Sequence, residues 1–222
     1  MKWLKKNKLK NTTAIELIKE NSIESLRTKV KILIVDDEDI DIYKTLESRK
    51  YDVYYKKDMS YAIEAEPFDI VIMDIKGVGS SRQSKSGGLS LACEVKGRYP
   101  LKKVGCCSVS RINTITEKLS DKKIDFFFRK EMEKDKMCDK IDELIKEYVN
   151  IDEQWSILSR ELRKNGIDSD TIEILKEKYM KSFESGDFSQ LLDSAFTTLR
   201  TVKSIIELIS SVTKLMALRA VQ

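Results

Sequence analysis

Apolar residues fall into short continuous runs as far as about residue 149 and into helical stripes beyond it. "VKILIVDD" (30–37) and "FDIVIMD" (68–74) are nearly uninterrupted, and each ends on aspartate. Runs of this length suit strands buried on both faces of a parallel sheet. "YDVYYKK" (51–57), "KKVGCCSVS" (102–110) and "IDFFFRK" (124–130) read as three further strands. Helical patterns separate and follow them at 39–50, 60–66 (stopped by Pro67), 88–99 (before Pro100), 112–122 and 138–149. A short helix at 12–28 precedes them, with Thr12 or Thr13 as its cap. Five strands alternating with helices predict an α/β fold: a five-stranded doubly wound parallel sheet with right-handed crossovers.

Beyond residue 150 the pattern is helical throughout, so an all-α C-terminal domain is expected. Trp155, Leu158 and Leu162 share one face of a first helix, which Gly166 ends. Ile172, Leu175, Tyr179 and Phe183 share a face of a second. Residues 188–219 read as one long helix with a heptad seam at Leu192, Ala195, Leu199, Val202, Ile206, Ile209, Thr213 and Met216. That seam either closes a bundle or pairs with a second copy as a homodimer. The expected domains are a basic extension at 1–29, the α/β domain at 30–149 and the helical domain at 150–222.

Composition narrows the chemistry. With 41% hydrophobic and 35% charged residues in 222, the chain has enough apolar material for a core. Residues 1–30 carry a net charge of +5, whereas 151–222 carry −1. A nucleic-acid partner for the C-terminal region is therefore disfavoured, since phosphate binding needs clustered cations. No apolar stretch is long enough to span a membrane, and no secretory signal opens the sequence, so the expected location is cytoplasmic. Cys93, Cys106, Cys107 and Cys138 form no CxxC pair and read as small buried side chains. The chain has no histidine, which removes His-based acid–base chemistry and His metal ligands from consideration.

The strand ends gather the remaining candidates. The first strand ends at Asp36 and Asp37, the third at Asp74, the fourth at Ser108 and the fifth at Lys130. In a parallel sheet these meet at one edge, where doubly wound folds bind ligands. Clustered carboxylates repel unless a cation compensates. Mg²⁺ does so with few protein carboxylates and accepts phosphate oxygens. A carboxylate beside Mg²⁺, a lysine and a hydroxyl is equipped to attack phosphorus and hold an acyl phosphate.

"ILIVDDED", "FDIVIMDIKG", "VGCCS" and "DFFFRK", in that order over residues 31–149, resemble the receiver domain of two-component response regulators, a flavodoxin-like fold. The resemblance implies a signal-transduction phosphoprotein within a phosphorelay, not an enzyme acting on another substrate. Asp74 would be the phosphoacceptor. Asp37 would bind Mg²⁺ directly, Asp36 through water, and the backbone carbonyl of Lys76 would complete the ligands. Ser108 would bond the phosphoryl group, Lys130 would pair with it, and Phe127 would be the switch aromatic. The donor would be a histidine kinase or phosphotransfer protein. The lysine's charge is expected to matter only beside a phosphoryl group, leaving apo stability unchanged on its removal. Glu131 stands where receivers usually have proline, Val109 where they have a small residue, and the loop "IKGVGSSRQSKSGG" is longer than usual. The alternatives are a non-phosphorylated pseudo-receiver serving as a protein scaffold and a DNA-binding transcriptional regulator.

Overall fold

A computed structural model describes residues 22–38, 41–79, 87–109, 121, 123–185 and 189. They fall into two compact units, one of Ser22–Tyr148 and one running from Val149 onward. The first unit contains α1 (Ile23–Arg27), β1 (Lys31–Val35), α2 (Asp41–Ser48) and β2 (Asp52–Lys56). After a 3-10 turn (Ala62–Ala65) follow β3 (Ile70–Asp74), α3 (Gly87–Arg98), β4 (Lys103–Ser108), β5 (Phe126–Arg129) and α4 (Lys134–Val149). The sheet order is β2-β1-β3-β4-β5, and all four pairings are parallel. This is the five-stranded doubly wound sheet that the sequence pattern predicts, in the flavodoxin-like order.

Both faces of the central strands are buried, which explains their unbroken apolar runs. Leu33, Val35, Val71, Met73, Val104 and Cys106 join Leu91, Ala92 and Val95 of α3 in one cluster. The alternate residues Ile32, Ile34, Ile70 and Ile72 are equally buried, at 4% exposure or less. Side chains alternate between faces along a strand, so the middle of each of these strands must be apolar on both faces.

Three connections differ from their sequence reading. The helix expected at 60–66 is a single 3-10 turn, because Glu64 Oε1 takes the N–H groups of Ser60 and Tyr61 and Pro67 follows at once. α4 starts four residues earlier than expected, at Lys134. Only Ile23–Arg27 of the expected first helix is described, capped by Ser22 through the Ser25 N–H. That short helix is held by Arg27, which donates twice to Asp142 of α4, while Tyr51 Oη donates to Asp142 Oδ1 at 2.7 Å. At the opposite edge of the sheet from the strand ends, buried Asp69 accepts from Lys31 N–H at 2.9 Å and Tyr148 Oη at 2.8 Å.

In the second unit, α5 (Ile151–Lys164) and α6 (Ser169–Ser185) form a helical hairpin. Asn150 caps α5 by accepting from the Asp152 and Glu153 N–H groups. Gly166, at φ +80°, turns the chain out of α5, and Asp168 accepts the Thr171 N–H at 2.8 Å to start α6. Trp155 packs on Tyr179, and Tyr179 on Phe183, with ring centroids 5.1 and 4.8 Å apart. The long helix expected at 188–219, its heptad seam, the basic tail and the helix expected at 112–122 lie outside the described residues. Among the described residues no helix is long and apolar enough to cross a membrane.

Candidate functional site

Parallel pairing in register brings the strand ends together. Asp74 stands opposite Cys107 across β3–β4, and Ser108 opposite Arg129 across β4–β5. The Ile75 N–H bonds the Cys107 carbonyl at 3.2 Å, and the Lys130 N–H bonds the Ser108 carbonyl at 3.1 Å. These bonds extend the ladder one step past each strand and fix where the side chains of residues 74, 108 and 130 emerge.

The centre of the site is a shared ammonium. Lys130 Nζ lies 2.8 Å from Asp36 Oδ2 and 2.8 Å from Asp74 Oδ2, with Glu38 Oε2 farther out at 3.5 Å. Asp36 is fully buried, Asp74 is 4% exposed and Ser108 2%. Asp36 Oδ1 accepts the Glu38 N–H at 3.0 Å, and Asp74 Oδ1 accepts the Lys76 N–H at 3.4 Å. Burial pushes the Asp36 carboxyl above its ordinary range, against the pull of the Lys130 hydrogen bond and the Glu38 amide. For Lys130, burial opposes the charge, but the bonds to Asp36 and Asp74 outweigh it and hold the ammonium above its ordinary value. Lys130 is therefore engaged without any phosphoryl group. The expectation that its charge matters only beside one is corrected: it already neutralises two carboxylates removed from water.

Cys107 is a member of this cluster that motif reading missed. Its Sγ donates to Asp36 Oδ2 at 3.9 Å, and ligand atoms of Asp36, Asp74 and Cys107 lie within 4.8 Å of one another. Burial, aided by the charges of Asp74 and Asp36, raises the thiol far above its usual value, so it stays protonated. The signal was available in its position: one residue before Ser108, it takes the opposite face of β4 from Cys106.

Asp37 and Lys76 stand apart from that cluster. Asp37 is exposed, and its carboxylate rests on Gly77, where a Cβ would come within 2.1 Å of Asp37 Oδ1. Gly77 itself has φ +80°, so glycine is needed here for conformation and for space. Lys76 is exposed beside it. A second close approach comes from α3: a Cβ on Gly88 would lie 1.8 Å from the Asp74 carbonyl oxygen. Phe127 is partly buried against the cluster containing Met73 and Cys106. Val109 is 61% exposed, and every described peptide, Lys130–Glu131 included, is trans. Arg82 and Lys85 of the long loop lie outside the described residues.

The donor set suits a hard divalent cation. Two buried carboxylates hold a cationic group between them, and a third, Asp37, stands at the adjoining loop. Mg²⁺ takes such oxygens and keeps waters, while a protonated thiol is no ligand for it. Asp36, Asp37 and Asp74 are the side chains that would hold it.

No protein-family profile matches the chain, and no curated protein matches it. Solved structures do. A CheY-like response regulator receiver domain protein from Methanospirillum hungatei is 20% identical, with 54% of this chain and 95% of that one covered and a TM-score of 0.43. The signal receiver domain of an HD domain-containing protein from Pseudomonas fluorescens is 14% identical, covering 55% and 90%, with a TM-score of 0.44. A chemotaxis protein from Vibrio cholerae is 17% identical, covering 52% and 98%, with a TM-score of 0.40. Likeness at this level carries no inference about chemistry. By its own strand order and all-parallel pairing, the unit Ser22–Tyr148 has the doubly wound fold of receiver domains.

Proposed function

We propose that this chain is a response-regulator-type signalling protein in which Asp74 accepts a phosphoryl group. The observation that carries the reading is the convergence of the buried carboxylates of Asp36 and Asp74 on the Lys130 ammonium, with buried Ser108 at the neighbouring strand end. In the proposed transfer, Asp74 Oδ2 attacks phosphorus, the bond from phosphorus to the donor breaks, and the leaving group departs with its electron pair. Lys130 moves its ion pair from the carboxylate to a phosphoryl oxygen, and Ser108 donates its hydroxyl to another. Asp36, Asp37 and Asp74 with the Lys76 carbonyl would hold Mg²⁺, which would supply positive charge against the phosphoryl oxygens.

The chain has no histidine, so the donor is a separate histidine kinase, a phosphotransfer protein or a small acyl phosphate. Phe127, at the edge of the core cluster, is the proposed switch aromatic. The helical region from Val149 onward is the proposed output, acting by protein contact in the cytoplasm.

Incubation with acetyl phosphate, read by intact-protein mass, tests the proposal. A Mg²⁺-dependent gain of one phosphoryl group in the wild type, absent from Asp74→Asn, is the expected result. No gain under conditions that label an ordinary receiver would return the chain to the pseudo-receiver alternative.

A further inference from the structure

Two loops carry the acidic site, and both are tied to the end of β2. On the first, Tyr55 Oη lies 2.7 Å from the carbonyl oxygens of Asp36 and of Glu38. One hydroxyl proton serves one of them at a time, so the contact spans the whole turn that presents Asp36, Asp37 and Glu38. On the second, Asp58 Oδ1 accepts the Gly79 N–H at 2.6 Å as well as its neighbour Met59's N–H at 2.8 Å.

Gly79 has φ +71°, so its amide direction belongs to a backbone shape that other residues resist. Ile75 and Val78 are buried, at 1% and 3% exposure. Only Lys76 and Gly77 are left as an exposed tip, with the Asp37 carboxylate against Gly77. Asp74 anchors one end of this five-residue turn, and the Asp58 bond anchors the other.

We propose that Asp58 is a positioning residue for the Mg²⁺ site, with Tyr55 its counterpart on the first loop. This rests on the reading of Asp74 as a Mg²⁺-dependent phosphoacceptor. Asp58 acts through Gly79: it holds the turn so that the Lys76 carbonyl and the Gly77 surface under Asp37 keep their places. The Met59 and Gly79 N–H bonds both end on Asp58 Oδ1, which serves here as an acceptor. Asparagine carries the same oxygen and should substitute for it.

The test uses the full chain, with Mg²⁺ as the probe. Phosphorylation from acetyl phosphate is titrated against Mg²⁺, Mg²⁺ binding is measured by calorimetry, and exchange of the Gly79 amide is followed by NMR. Asp58→Ala should raise the Mg²⁺ half-saturation about tenfold, the usual scale for outer-shell partners of a metal site. Its rate at saturating Mg²⁺ should be unchanged, and its Gly79 amide should exchange faster. Asp58→Asn should behave as wild type in all three. Tyr55→Phe, which removes only the hydroxyl, should also raise the half-saturation.

An Asp58→Ala chain that titrates like wild type overturns the proposal, as does Asp58→Asn being equally defective. A loss of thermal stability and saturating rate with no shift in half-saturation overturns it too, by making Asp58 merely structural. A wild type that binds no Mg²⁺ overturns the functional reading, and the proposal falls with it. Mg²⁺ binding that is equal in wild type and Asp58→Ala removes the brace alone.

Discussion

Lys130→Met removes one ammonium from between two carboxylates while keeping most of the aliphatic stem. The Lys130 side chain is 15% exposed, that of Asp36 0% and that of Asp74 6%. At 2.8 Å and an effective dielectric of about 20, each contact is worth roughly 6 kcal/mol before desolvation is counted. Desolvation cancels much of this, and breaking one partner of a buried pair costs about 3–5 kcal/mol, because the other charge is left behind. The apo variant should therefore lose about that much stability at neutral pH.

The sign with pH follows from Asp36. Burial already raises its carboxyl, and loss of Lys130 raises it further. A group whose folded pKa lies above its unfolded value contributes stability that is fully present below the unfolded value and lost as pH rises through the folded one. The variant's deficit should thus be greatest at neutral pH and shrink as pH falls towards about 4, the ordinary carboxyl range. Urea unfolding of wild type and variant at pH 7.5 and 4.5, with and without Mg²⁺, reads both effects. Mg²⁺ should restore part of the loss at pH 7.5. A variant within about 0.5 kcal/mol of wild type at pH 7.5, the ordinary scatter of a surface substitution, would show that the two carboxylates do not need the Lys130 ammonium. A deficit that grows on acidification would contradict the sign set by Asp36.

Other substitutions probe the supports of the site. Gly88→Ala drives a Cβ into the Asp74 carbonyl, so it should cost about 1–3 kcal/mol in thermal unfolding and lower phosphorylation as well. Gly77→Ala combines φ +80° with a collision against Asp37. It should weaken Mg²⁺ binding with a stability loss of only about 1–2 kcal/mol, checked by calorimetry and urea unfolding. Asp142→Ala leaves the Arg27 guanidinium and Tyr51 hydroxyl without their shared acceptor. It should destabilise the chain by about 2–4 kcal/mol and leave Mg²⁺ binding intact.

The sheet was legible because its central strands are apolar on both faces. Ile32 and Leu33, or Met73 and Ile72, face opposite layers, and both layers are dry. The shared edge of Asp36, Asp74, Ser108 and Lys130 followed from parallel order alone. What pattern reading missed depends on single hydrogen bonds. The segment 60–66 has helical periodicity, but Glu64 turns back onto the Ser60 and Tyr61 amides and Pro67 closes it within one turn. Tyr55 lies within an expected strand and Asp58 between two expected elements, and no motif marks either. Their reach to Glu38 and Gly79 depends on loop shape, which no spacing encodes. The apo role of Lys130 was hidden for a related reason: a motif names the group a residue meets during reaction, not the one it pairs with beforehand.

The proposed chemistry places an acyl phosphate on one residue. Borohydride reduction converts an aspartyl phosphate to homoserine, so labelling with acetyl phosphate, reduction and peptide mapping locate it directly. Homoserine is expected at position 74, formed only when Mg²⁺ is present during labelling. No homoserine, or homoserine at Asp36 or Asp37 in place of Asp74, would contradict that chemistry.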